Sequence, residues 1–227
     1  MNILGIDCAL SRLSIAVKAE DKMISEVFDI GMKQSEILVP VIQEVLHKAN
    51  IETKDLNYTA LTIGPGSFTG LRLGISALKA IELAYNVPVY GISSLKVYGY
   101  PYTMLNMPVL SCIDANKDKF YSTITEGDKE LLAEGDWEID KLIEETKDYK
   151  ELFIAGPDAY KLKAFIEEKN KDIKIYISKT RSLTTDSLIS ITEDMISSNK
   201  EPLKDFDGPV YLRASEAEIK LQADKKE

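Results

Sequence analysis

The stretch Gly64-Pro65-Gly66-Ser67-Phe68-Thr69-Gly70-Leu71-Arg72-Leu73-Gly74 leaves the chain few ways to fold. It follows the apolar run Ala60-Leu61-Thr62-Ile63 and opens an apolar-rich segment that continues to Ala84, so it reads as strand, tight turn and helix. Glycine admits backbone angles closed to other residues and proline presets a turn. Ser67 or Thr69 can offer a hydroxyl to the unpaired amides of a helix start. Such a turn serves one of two ends: it cradles an anion on helix amides, or it lets the helix lie close on the sheet. The block lacks the Gly-Lys-Ser/Thr ending of a P-loop, so close packing is the reading that asks less of it.

Charge and histidine content narrow the chemistry. A formal net charge of −9 over 227 residues repels phosphate backbones, so a nucleic-acid partner would be held mainly through another protein. The single histidine, His47, falls late in an amphipathic helical stretch and reads as a surface or capping residue. One histidine excludes a His-rich metal site and an HExxH motif within this chain and leaves a His-based triad without support. Cys8 and Cys112 sit in or beside apolar strand-like runs and read as buried free thiols. No residue is assigned a catalytic or metal-binding role. No apolar run approaches the roughly 18 residues a membrane span needs, and Met1 to Asp7 carries no basic region before its apolar residues. The cytoplasm is therefore the expected location, with no membrane partner.

Read in order, the chain begins with strands near residues 2–7, 13–17 and 23–28, followed by a helix over 35–49 with Pro40 near its first turn. The strand at 58–63, the glycine turn, the helix to Ala84, a strand at 87–91 and a helix from Ser93 or Ser94 come next. The pattern then restarts. Val109 to Asp114 forms a strand ending in aspartate, as Asn2 to Asp7 does, and the same offset of 107 residues pairs Ile6 with Ile113, Asp21 with Asp128 and Lys22 with Lys129. Gly64-Pro65 is echoed by Gly156-Pro157, and Val89-Tyr90-Gly91-Ile92-Ser93 by Ile175-Tyr176-Ile177-Ser178. Matches in the same order indicate a duplicated unit of three strands followed by helix, strand, helix, strand, helix.

Two such units face to face describe an α/β, duplicated ribonuclease H-like or actin-like (ASKHA) two-lobe fold. The expected division is 1–104 for the N-terminal lobe and 105–208 for the C-terminal lobe, with a helix over 209–222 packed back on the first. Ligands of open α/β sheets lie beyond the carboxyl ends of strands, so Asp7 and Asp114 are expected to face the cleft between lobes. Asp7, Ser11 and Asp114 are the candidate nucleotide-facing residues. Asp7 is followed by Cys8-Ala9-Leu10-Ser11 and not by the Gly and Thr that let such a hairpin embrace a phosphate in the actin and sugar-kinase superfamily. The plain alternative is that these acids merely end strands and stay solvated.

The glycine block, together with Gly5-Ile6-Asp7, Gln34-Ser35-Glu36-Ile37-Leu38-Val39-Pro40 and the terminal Tyr211-Leu212-Arg213, resembles the bacterial TsaB family, formerly YeaZ. The resemblance runs through the chain and is strongest in the first hundred residues. It implies a non-catalytic subunit of the complex that forms threonylcarbamoyladenosine at position 37 of tRNAs reading codons beginning with A. The implied partners are a TsaD-like catalytic paralogue and a TsaE-like ATPase. It also implies a homodimer when alone, tRNA contact only through the complex, no cofactor of its own, and ATP or ADP at the partner interface as the candidate ligand. Two positions depart from the family pattern: Gln34 stands where many members have His, and Asn116 where many have Arg.

Two helices carry more apolar surface than one sheet face needs. Between Leu71 and Ala84 apolar residues surround the axis, and a helix of that kind is normally buried. Ile37, Leu38 and Val41 of the first helix and Gly70, Leu73, Gly74, Ala77, Ala80 and Ile81 of the second are therefore assigned to a partner interface, with Ala77 and Ala80 as outward small positions. The internal alternative packs these helices on each other and on the C-terminal helix. An actin-fold small-molecule kinase or ATPase is the competing function. A peptidase is a weaker one, since the chain offers neither an activated nucleophile nor a metal-bound water.

Overall fold

Successive side chains of the first strand leave on opposite faces, and both faces are apolar: Leu4 and Ile6 on one, Ile3 on the other. A strand of that composition has to be covered twice, so the sheet it belongs to carries helices on both sides. The computed structural model describes residues 1–180 and 183–213. Its first half contains β1 (Asn2–Asp7), β2 (Arg12–Ala19), β3 (Lys22–Asp29), α1 (Gln34–Lys48), β4 (Tyr58–Gly64), α2 (Phe68–Tyr85), β5 (Val89–Ser93) and α3 (Ser94–Gly99). The second half contains β6 (Val109–Asn116), β7 (Lys119–Glu126), β8 (Lys129–Glu138), α4 (Ile139–Thr146), β9 (Glu151–Ala155), α5 (Ala159–Lys169), β10 (Lys174–Ile177) and α6 (Thr184–Ser197).

The two sheets have one topology. Their orders are β3-β2-β1-β4-β5 and β10-β9-β6-β7-β8, the second being the first read from its other edge. In each, an antiparallel three-stranded meander is extended by two parallel strands. The duplicated α/β two-lobe, actin-like architecture expected from the repeat is thus present. Helix α4 is the second copy's helix after three strands, as the duplicated unit requires, and Ile139, Leu142 and Ile143, at helical spacing, anchor it in the second core.

The helices are distributed less simply than chain order implies. Helices α1 and α2 cover one face of the first sheet, where Leu38, Val41, Ile42, Val45, Ile75 and Leu78 meet Leu4, Ile6, Leu13, Ile15 and Leu61. The opposite face is covered by α6, whose Leu188 and Ile191 pack with Ala60 and Ile92 and whose Ile189 packs with Ile3 and Ala16. Helix α3 in turn lies against β6 and β7 of the second sheet. Each lobe's last helix therefore packs on the other lobe. Helix α6 falls in the expected second lobe, 105–208, but belongs by packing to the first. Chain order could not reveal this, because the apolar face of α6 fits either sheet. Of the helix expected over 209–222, residues 209–213 are not helical and the remainder lies outside the described residues.

The glycine block closes the first lobe by backbone contact. Ser67 caps α2, its Oγ accepting from the Gly70 amide at 3.3 Å, and the Ser67 amide donates to the Ala9 carbonyl at 2.6 Å. A β-carbon at Gly66 would lie 2.4 Å from the Ala9 oxygen, and one at Gly70 2.0 Å from the Cys8 oxygen. The glycines serve close approach of the turn to the β1–β2 hairpin, the packing role the sequence allowed. Pro40 sits at the seventh residue of α1, beyond the first turn, and both it and Glu36, whose carbonyl loses a donor there, are exposed to water.

A β-carbon that meets a backbone oxygen cannot be relieved by a rotamer change. Gly70→Ala is expected to cost about 1–3 kcal/mol in a urea denaturation series. Gly74→Ala, whose nearest neighbour would be Cys8 Sγ at 3.5 Å, should stay within about 1 kcal/mol of wild type and on the stabilising side.

Candidate functional site

Strands β1 and β6 end at the cleft between lobes, and each delivers an aspartate there. Asp7 is buried, and its Oδ1 accepts from Thr62 Oγ1 at 2.7 Å and from the Ala9 amide at 3.0 Å. It borders a cavity of about 500 Å³ shared by Ser11, Arg12, Tyr98, Gly156 and Thr184, among others. The Thr184 hydroxyl, at the start of α6, is buried without a hydrogen-bond partner among the described residues.

Asp114 faces a different space. It lines a second cavity, of about 540 Å³, with Gln34, Ser35, Gly66, Leu73, Tyr121 and Arg213. Its Oδ2 is engaged by Lys161 Nζ and its Oδ1 by the Asn116 amide at 2.9 Å, while its own amide donates to Asp158 Oδ2 at 2.8 Å. Partial burial pushes the Asp114 carboxyl up, but the hydrogen bonds from Lys161 and from the Asn116 amide outweigh it and hold the group below the ordinary aspartate value. Ser11 borders both cavities, so of the three candidate nucleotide-facing residues Asp7 and Ser11 share one cavity and Ser11 and Asp114 the other. Both aspartates thus face the space between lobes, as expected, but from separate cavities, each of which is bordered by Leu10 and Ser11 of the β1–β2 turn.

That turn is held by a residue whose sequence signal was only its departure from the family pattern. Gln34, buried at the start of α1, donates from Nε2 to the Leu10 carbonyl. Asn116 takes a left-handed conformation with φ of 59° in the β6–β7 turn, a geometry asparagine tolerates better than most residues. The two thiols behave as their surroundings dictate: burial first, and then neighbouring carboxylates, Asp7 for Cys8 and Asp158 and Asp114 for Cys112, push both far above the ordinary thiol value. Among the described residues no group of three or more His, Cys, Asp or Glu converges as a metal site.

The helices assigned to an interface divide sharply by exposure. Leu38, Val41, Gly70 and Gly74 are buried inside the first lobe, and Ile37, Leu73, Ala77 and Ile81 are half-buried against its core. Those four buried residues cannot meet a partner, because the sheet and the β1–β2 hairpin already cover them. Ala80 is exposed. It belongs to an outward stripe of α2 that reads Phe68, Arg72, Ser76, Ala80, Leu83 at helical spacing, with Phe68 46% and Leu83 89% exposed. The helix is thus not buried all round, as its composition suggested. At the head of the stripe the Arg72 guanidinium lies 3.7 Å over the Phe68 ring and donates to Tyr211 Oη at 3.1 Å. Tyr211 itself stacks on Phe68 with centroids 5.3 Å apart. Exposed Val39 on α1 adds to the apolar surface of this lobe.

A family model described as TsaD, tRNA N6-adenosine threonylcarbamoyltransferase, matches residues 31–220. Curated proteins called "tRNA threonylcarbamoyladenosine biosynthesis protein TsaB" are similar over part of their length. The one from Buchnera aphidicola subsp. Schizaphis graminum is 38% identical over 96 residues, covering 42% of this chain and 45% of that one. The one from Bacillus subtilis is 27% identical over 135 residues, 59% of each. The chain therefore spans about half the length of the curated relatives it matches. The solved YeaZ from Pseudomonas aeruginosa has the same fold, with a TM-score of 0.71 at 21% identity over 93% of this chain and 99% of that one. No helix of the described residues is long and apolar enough to cross a membrane.

A carboxyl held below its ordinary value contributes stability that is present above its unfolded pKa and lost as pH falls through the folded one. Asp114→Asn is expected to melt below wild type at pH 7, with the gap closing as pH drops below about 4. Thermal melts across that range check it.

Proposed function

The chain belongs to the TsaD family of tRNA N6-adenosine threonylcarbamoyltransferase proteins, and within it to the TsaB (YeaZ) proteins; from that premise we propose that it is a non-catalytic partner subunit in forming threonylcarbamoyladenosine at position 37 of tRNA. Its principal partner in this reading is a TsaD-like catalytic paralogue, reached in the cytoplasm. A TsaE-like ATPase completes the assembly, tRNA is contacted only through it, and two copies of the chain pair when the paralogue is absent.

The observation that carries the reading is the outward stripe of α2. A helix whose inner face is already satisfied by the core still presents Phe68, Arg72, Ala80 and Leu83 to solvent, and the first two are prearranged with Tyr211. Aromatic residues and arginine are enriched at the centres of protein interfaces, where a few fully desolvated anchors carry most of the binding energy. Ordered rings and a stacked guanidinium lose little further freedom on association. The electrostatics agree with a partner role, since a chain with net charge −9 needs help to hold tRNA. The state of Asp114 supports the same conclusion over a kinase: both of its oxygens are committed within the chain, one of them to a lysine.

A second reading, a nucleotide facing Asp7 and Ser11, is favoured by the Thr184 hydroxyl in the first cavity, which is buried without a hydrogen-bond partner among the described residues. Calorimetric titration with ADP decides it: no heat at millimolar nucleotide would remove it.

With a purified TsaD-like paralogue from the same organism, Ala80→Glu is expected to weaken capture at least about tenfold, the equivalent of 1.4 kcal/mol, while circular dichroism stays unchanged. Capture at wild-type strength by a folded Ala80→Glu protein, or undiminished threonylcarbamoyladenosine in the tRNA of cells lacking this chain, would overturn the proposal.

A further inference from the structure

Residues 203–213 leave α6 and return across the first lobe, to which they are fastened at three points. The Leu203 amide donates to the Val89 carbonyl at 2.7 Å, and its side chain packs with the first core beside Ile63 and Gly91. Lys79 Nζ reaches from α2 to the carbonyls of Leu203 and Lys204 at 3.2 and 2.9 Å. The Val210 amide donates to the Ile63 carbonyl at 2.7 Å, at the end of β4, and Tyr211 lies on Phe68.

Two residues later the chain crosses to the other lobe. Arg213 Nε and Nη2 donate to Asp136 Oδ2 and Oδ1, each at 2.8 Å, and Nη1 donates to the Ala115 carbonyl at 2.8 Å. The guanidinium also stands 5.6 Å from the centre of the Tyr121 ring. Asp136, Ala115 and Tyr121 belong to β8, β6 and β7, so one side chain grips three strands of the second sheet. Exposed single ion pairs contribute little, but this one is a two-pronged carboxylate grip with its partners only 29% and 15% exposed, and a third charge-assisted bond accompanies it. From Val210 to Arg213 the backbone can extend by only about 10 Å. The tether is short.

We propose that Arg213 is a latch: the strap 203–213, anchored on the first lobe, uses this residue to hold the second lobe at a set angle and so fixes the width of the cavity lined by Gln34, Gly66, Asp114 and Tyr121. The inference stands apart from the partner reading, since it concerns only contacts within the chain. It also accounts for the terminal Tyr211-Leu212-Arg213 motif, in which tyrosine anchors on one lobe and arginine closes on the other.

The test is the distance distribution between spin labels at Gln43→Cys on α1 and Asp140→Cys on α4, both exposed, measured by double electron–electron resonance on the full chain. The native Cys8 and Cys112 are buried and are expected to stay unlabelled. In the otherwise wild-type protein the distribution should be narrow. Arg213→Ala should broaden it at least about twofold with a new long-distance population, Asp136→Asn should do the same, and the double variant should be no broader than the wider single one, because both remove one contact. Arg213→Lys, which keeps the charge and loses the fork, should fall between. Wild-type width in folded Arg213→Ala or Asp136→Asn, or full native width in Arg213→Lys, would overturn the proposal; circular dichroism establishes folding in each case.

Discussion

The carbonyl oxygens of Cys8 and Ala9 occupy the space where β-carbons of Gly70 and Gly66 would otherwise be. This contact, backbone against backbone, draws the start of α2 down onto the β1–β2 hairpin, and much else depends on the depth of that approach. It sets where Asp7 and Ser11 stand at the cleft, places Phe68 and Arg72 at the outer edge of the lobe, and brings Ser67 to the Ala9 carbonyl. Gln34, whose side-chain oxygen lies beside Gly70, supports the same hairpin through the Leu10 carbonyl. In a turn built this way the glycines at 66 and 70 serve close packing.

The second organising contact is the exchange of α3 and α6. Each lobe ends with a helix that packs on its neighbour's sheet, so neither sheet has both faces covered without the other half of the chain. The lobes are consequently joined through their cores and not by a linker alone. Arg213 adds a further fastening between the lobes, at the end of the strap that follows α6. A molecule held this way can change its cleft only by releasing specific bonds.

These constraints also explain the form of the proposed partner surface. Packing buries Leu38, Val41, Gly70 and Gly74 and half-buries Ile37, Leu73, Ala77 and Ile81, so the residues left to a partner are chiefly the outward ones, and burial, not hydrophobicity, separates the groups. Leu38 and Val41 are as apolar as any residue of the chain and have no access to a partner. Phe68 and Leu83 do, and at Phe68 the arginine and tyrosine around it keep an exposed aromatic ring in one orientation.

Much of the architecture was legible in the residues themselves. The offset of 107 residues between Asp7 and Asp114 established two like lobes, because strands ending in aspartate, turns and helix starts are local signals that survive in order. Strand and helix placement followed from apolar periodicity for the same reason; in the eight residues of α4 that signal is confined to Ile139, Leu142 and Ile143, so the duplicated unit calls for the helix while periodicity alone marks its place only briefly. What the sequence determined alone was therefore the list of elements, their duplication, the glycine turn and the scarcity of histidine that bars several chemistries. The tertiary structure decided which lobe α6 covers, that the two aspartates look into separate cavities, that Asp114 is paired with Lys161, and which apolar residues of α2 remain outside. All four depend on contacts between residues far apart in the chain. Periodicity records only that a side is apolar; what comes to lie against it is settled when the sheets twist, the helices cross over and the strap closes.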